Sequence, residues 1–108
     1  MEEWKTIIGF PKYSVSSEGR IRNGEGRILK PYVNHKGYFK VGLYDESGHD
    51  HKKRVHRLVA EAFIPNSDNL PEANHLNFDK QDNRVGNLEW CTDEQNREHF
   101  WNNRRKER

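Results

Sequence analysis

Six residues in the second half of the chain have the types and spacing to do chemistry: the pair Asn74-His75, then Asn83, Asn87, Asn96 and His99. Imidazole titrates near neutral pH and can take a proton from water. Carboxamide oxygens are neutral, hard acceptors. A cluster of one imidazole and two amide oxygens leaves room for a hard cation and a phosphate between them. A histidine on a short strand is more often structural, so the elements around these residues decide the reading.

Those elements can be read from periodicity. Ala73 to Leu76 and Leu88 to Cys91 are short strands, separated by a polar loop from Asn77 to Gly86 whose apolar side chains are Phe78 and Val85. Thr92 followed by Gln95 is a capping-box pattern, which predicts a helix from Asp93 to about Arg105. That helix, packed across the two strands, would gather Asn74, His75 and Asn96. His99 lies three residues beyond Asn96, on the same helical face. Upstream, Val55, Leu58, Val59, Ala62 and Phe63 fall on one face of a helix that Pro65 ends.

The first half is strand-like and punctuated by glycine. Tyr13 to Ser16 and Arg20 to Arg22 flank a turn at Ser17-Glu18-Gly19, and Arg27 to Asn34 reads as a further strand. Tyr38 to Tyr44 alternates, with Phe39, Val41 and Leu43 on one side and Tyr38, Lys40 and Tyr44 on the other. Asp45 to Asp50 is a polar turn, and Lys52 to His56 returns as a strand. No internal repeat is visible. The fold class expected is α+β. A β-rich module spans residues 1–54, and a module of two strands and a helix spans residues 55–108.

Composition narrows the classes. The chain has 108 residues and one cysteine, which excludes an internal disulfide and a cysteine-rich zinc site. No apolar run is long enough to span a membrane. The acidic start, without an apolar run, predicts no secretory signal and a cytoplasmic location. The net charge of +2 hides a gradient: residues 20–57 carry +6 and residues 58–98 carry −6. A basic segment interleaved with aromatics suits a polyanion, although a solvated surface has the same composition. His49, His51 and His56 are spaced like metal ligands, but a turn and a helix face separate them. They are read as surface or packing residues.

The segment Asn74-His75, Lys80, Asn83-Arg84, Asn87-Leu88-Glu89-Trp90 and Thr92 resembles the signature of HNH nucleases with a ββα-metal core. More narrowly, it is similar to homing endonucleases of phage and group I introns. The helix Val55-His56-Arg57-Leu58-Val59-Ala60-Glu61-Ala62-Phe63 fits that family. The start, from Glu3-Trp4 through Gly19-Arg20-Ile21-Arg22, resembles its N-terminal nuclease-associated DNA-binding module. The family loop reads Asp-Gly after the histidine, whereas here Asn77-Phe78-Asp79 stands there.

The resemblance implies metal-dependent hydrolysis of DNA that leaves a 5′ phosphate and a 3′ hydroxyl. One divalent ion per site, Mg²⁺ or Mn²⁺, would be held by Asn74 and Asn96. His75 would be the general base, and Asn87 would tie back the loop and orient it. Asn83, Arg84 and His99 are candidates to line the site. Arg20, Arg22, Lys30, Lys36, Lys40, Lys52, Lys53 and Arg54 are candidates to contact double-stranded DNA. If the gene is phage-borne, the location would be the cytoplasm of a bacterial host. Two readings compete: a nuclease, and a catalytically silent DNA-binding or regulatory protein on the same fold. An accessory protein or a homodimer stays open, and no membrane partner is expected.

Overall fold

A computed structural model describes the backbone of residues 1–106 and the side chains of residues 1–99. Eight strands and two α-helices follow in the order β1 Trp4–Ile7, β2 Phe10–Ser16, β3 Ile21–Arg22, β4 Tyr32–Val33, β5 Phe39–Tyr44, β6 Asp50–Arg54, α1 Val55–Phe63, β7 Glu72–His75, β8 Leu88–Cys91 and α2 Asp93–Lys106. A short 3-10 turn at Val85–Asn87 precedes β8. The strands form three antiparallel sheets, β1-β2-β3, β4-β5-β6 and β7-β8. Among the described residues no helix is long and apolar enough to cross a membrane.

One apolar core joins the first two sheets to α1. Ile7, Phe10, Val15 and Ile21 meet Val41 and Leu43, and both sets pack on Val55, Leu58 and Val59, with Leu88 closing the cluster. Alternation in β5 supplies Val41 and Leu43, as its period-two pattern predicts. The core therefore runs across residue 54, where β6 passes directly into α1. This junction explains why α1 begins at Arg54 with no side-chain cap. Its other end is finished from a distance, by the Trp90 indole N–H donating to the Ile64 carbonyl at 3.0 Å.

The sequence has no visible repeat, yet one turn recurs four times. At Ser16, Asn23, Asn34 and Asp45, the side-chain oxygen accepts the backbone N–H groups two and four residues on. The backbone carbonyl of the same residue accepts the N–H of a glycine three residues on. Those glycines, 19, 26, 37 and 48, sit at φ between +83° and +89°, where any side chain is strained. The repeat is one of geometry, carried by a Ser, Asn or Asp three residues before a Gly.

Three expectations change. The strand foreseen over Arg27 to Asn34 shrinks to Tyr32–Val33, because Pro31 has no N–H to give a ladder and only a bridge from Ile28 to Arg22 precedes it. The last β-rich strand starts earlier, at Asp50, and ends before His56, which belongs to α1. β1 was not foreseen at all, and β2 starts at Phe10, ahead of Tyr13.

Candidate active site

The sequence that folds into β7, the loop Leu76–Arg84, the 3-10 turn and β8 builds a small hairpin with a tethered insertion. β7 and β8 pair Asn74 with Glu89 and His75 with Leu88. Asn87 secures the insertion with its whole amide. Its Oδ1 accepts the Asn77 N–H at 3.0 Å, and its Nδ2 donates to Asn77 Oδ1 at 2.9 Å and to the Asp82 carbonyl at 2.8 Å. Asn87 thus ties both ends of the loop together.

The ring of His75 is held by a different residue. His75 Nε2 lies 2.7 Å from Asn83 Oδ1, and both residues are buried. An amide oxygen only accepts, so the proton is on Nε2 and Nδ1 keeps its lone pair. No described residue occupies Nδ1, and it is not among the buried orphaned atoms. The orienting contact foreseen for Asn87 belongs in this geometry to Asn83. The reason is directional: the Asn87 amide is spent on the loop, while Asn83 stands opposite the ring.

Two aromatic groups back the imidazole. The His56 ring lies 4.8 Å from that of His75, and Tyr38 stacks on His56 at 5.0 Å with its ring 5.9 Å from His75. His56 is 3% exposed. Burial, then the neighbouring His75, Arg54 and Arg57, push its pKa down to about 3, so it is neutral. Burial also lowers the pKa of His75, against the opposing pull of its Asn83 hydrogen bond and of Asp79 and Asp82. His75 is therefore a neutral imidazole at pH 7, in the protonation state a base requires. Sequence reading gave His56 a surface or packing place and missed this contact. Its signal was Ala60, one turn on and fully buried, which marks a second covered side of α1.

Asn74 is buried and turns its Nδ2 toward Glu89 Oε1 across the sheet at 3.5 Å, which leaves its Oδ1 as the free end of the amide. Asn96 sits in the first turn of α2, whose cap is the reciprocal pair foreseen: Gln95 N–H to Thr92 Oγ1 at 3.0 Å and Thr92 N–H to Gln95 Oε1 at 2.9 Å. His99 stacks on Phe78 at 4.2 Å, its Nε2 buried with no partner. Arg84 is pinned to Asp82 by two hydrogen bonds of 2.8 and 2.7 Å, and the pair lowers the Asp82 pKa to about 2. Among the described residues no three His, Cys, Asp or Glu side chains cluster as a metal site. His49 and His51 instead face Asp45, at 3.7 and 2.8 Å.

The basic residues divide among several places. Cross-strand pairing puts Tyr32, Lys40 and Arg54 in one row on the outer face of β4-β5-β6, with Lys52 beside Gly42 and Tyr44 beyond. Asn34 and Tyr38 continue this ladder, so the same face leads to Tyr38 and the His75 ring. Lys53 lies on the opposite face, its ammonium 5.5 Å from the Phe10 ring centre. Arg20 and Arg22 stack over Trp4, at 5.7 and 4.1 Å, and Arg20 also pairs with Glu2. Lys30 and Lys36 are exposed in the loops flanking β4.

A strand–loop–strand–helix unit with a paired imidazole on its first strand is the arrangement of HNH nucleases. Residues 53–98 match the HNH endonuclease family model, and residues 2–44 match the NUMOD4 motif. The chain thus carries an N-terminal NUMOD4 motif and an HNH endonuclease segment, and it resembles the HNH homing endonucleases. It is 42% identical over 106 residues to an uncharacterized HNH endonuclease, L247, of Acanthamoeba polyphaga mimivirus, covering 94% of this chain and 27% of that protein. It is 34% identical over 92 residues to the DNA endonuclease I-HmuI of Bacillus phage SP01, covering 83% of this chain and 52% of that one. A solved structure of I-HmuI, described as DNA binding and cleavage by an HNH homing endonuclease, superimposes with a TM-score of 0.84 at 33% identity, over 94% of this chain and 59% of that one. The chain spans between about a quarter and a half of the length of these curated relatives.

Proposed function

We propose that this chain is a metal-dependent DNA endonuclease of the HNH type, with His75 as its general base. The carrying observation is the 2.7 Å bond from His75 Nε2 to Asn83 Oδ1, which leaves Nδ1 as the acceptor on a ring kept neutral by burial. In hydrolysis Nδ1 takes the proton of the attacking water, and Asn83 then accepts a stronger hydrogen bond from the imidazolium. Asn74 Oδ1 and the Asn96 carboxamide are neutral oxygen donors. Such donors would suit a hard divalent cation. When bound, that ion supplies positive charge to the phosphate and the leaving oxygen. Glu89 fixes which end of the Asn74 amide is free. The outer face carrying Tyr32, Lys40, Lys52 and Arg54 suits the phosphates of a duplex. One such site cuts one strand, so the chain is read as a nicking or homing enzyme.

A supercoiled-plasmid assay with Mg²⁺, Mn²⁺ or EDTA tests this. Nicking is expected with either ion and not with EDTA. His75→Ala should lower the rate by at least about a thousandfold, within the range that general-base loss gives, while DNA binding persists. A chain that binds duplex but never nicks is the silent DNA-binding protein instead.

A further inference from the structure

The loop that holds His75 is braced by the β-rich half of the chain. The turn between β2 and β3, residues 16–20, lies directly against it. Ser17 gives its carbonyl to the Val85 N–H at 2.9 Å. Gly19, at φ +88°, presses on Asn83: a Cβ at Gly19 would fall 2.9 Å from Asn83 Cβ and 3.0 Å from the Asn83 carbonyl oxygen. Real side chains do not approach so closely. Asn83 is therefore clamped between the Gly19 backbone and the His75 ring. From the turn between β4 and β5, the Lys36 carbonyl accepts a hydrogen bond from Lys80 Nζ at 2.9 Å.

We infer that Gly19 is a positioning residue for the proposed base, acting through Asn83, so that the turn of residues 16–20 completes the site of the HNH segment. The inference rests on the function proposed above. Glycine is needed at position 19 twice, for its positive φ and for its missing Cβ. A comparison separates the two needs. Gly26 has φ +83° in the same kind of turn, but nothing lies within 4 Å of its Cβ position. Gly26→Ala carries the backbone strain alone, whereas Gly19→Ala adds the collision with Asn83.

The test uses the full chain, labelled with ¹⁵N-histidine. In the unaltered chain and in Gly26→Ala, the His75 ring should give the Nε2–H tautomer by NMR. In Gly19→Ala that signal should become a mixture of tautomers. Its turnover at saturating duplex should fall by about ten- to a hundredfold, with KM within about threefold. Gly26→Ala should nick like the unaltered chain. Should Gly19→Ala fail to fold, Val85→Pro serves in its place. It removes the N–H that reaches Ser17, at the first position of a helical turn where proline fits, and exchanges the Val85 side chain at the core margin for an apolar ring. Its turnover and tautomer should change in the same direction. A folded variant that keeps the Nε2–H tautomer and full turnover would overturn the inference. If the unaltered chain does not nick, the proposed function fails, and the tautomer measurement decides the positioning role by itself.

Discussion

The four glycine turns and the loop Leu76–Arg84 solve one problem in opposite ways. Each glycine turn closes on itself, because a single side-chain oxygen satisfies two backbone N–H groups within four residues and a glycine takes the positive φ. The loop has local bonds of this kind too, from the Asp79 N–H to Asn77 Oδ1 and from the Gln81 N–H to Asp79 Oδ1. What closes it is distant: Asn87 ten residues on, Ser17 in the turn after β2 and Lys36 in the turn after β4. A turn that is locally complete needs no distant residue to keep its shape. A loop held from three sides stays where its side chains are needed, and this one carries Asn83 to His75.

The largest effect should separate the two regions directly. Asn87→Ala removes three hydrogen bonds at a buried position, which should cost about 2–4 kcal/mol. It should also lower nicking by about a hundredfold or more as the loop drifts from His75. Asn23→Ala removes the two side-chain bonds of an exposed turn, costs about 1 kcal/mol and leaves nicking unchanged. Urea midpoints and plasmid nicking on both variants measure this. Equal losses of activity would mean that the distinction between the regions has no functional weight.

Histidines make a second contrast. His49 and His51 sit beside Asp45 in a turn, whereas His56 is sealed beneath His75. The unfolded chain binds a proton on His56 below about pH 6.5, whereas the folded chain does not until about pH 3. Stability should therefore be full above pH 6.5 and fall as the pH drops. Between pH 6.5 and 5 the loss from His56 should be about 2 kcal/mol. Burial lowers His75 as well, which adds in the same direction. Carboxylates such as Asp82, lowered to about 2, act only at more acid pH and stay out of this window. Denaturation of His56→Phe, which keeps an aromatic ring against Tyr38, should show a flatter slope. Parallel slopes for variant and parent would contradict the assignment.

What the sequence made legible follows the same division. Amphipathic period gave α1, alternation gave β5, and Thr92 with Gln95 gave the start of α2, because each is encoded by neighbours a few residues apart. The family motif brought His75 and the amides into one region. It could not say that Asn83 rather than Asn87 meets the ring, since that depends on which way two carboxamides point after the loop has closed. Nor could it give the clamp at Gly19, which brings together residues more than sixty apart in sequence. β1 was missed because Trp4 to Ile7 is too short to show a period, and only pairing with β2 makes it a strand.

Phe78 tests the comparison most finely. Its φ of +67° is one a glycine would take without strain. Local rules alone would make Phe78→Gly stabilising by about 1 kcal/mol or more through relief of the left-handed conformation. Two losses oppose this. The ring stacks on His99 at 4.2 Å, and glycine adds conformational freedom to the unfolded chain. The net change should be small, a destabilisation below about 1 kcal/mol, whereas truncating an ordinary core phenylalanine costs about 3–5 kcal/mol. Nicking should persist, because Asn87 and Gly19 still hold the loop without the stack. His99→Ala should cost less in the Phe78→Gly background than alone, since the two rings share one contact, and thermal melts of the four proteins in that cycle read the coupling. A Phe78→Gly chain that folds but no longer nicks would show that the Phe78–His99 stack, and not the distant tethers, sets the loop.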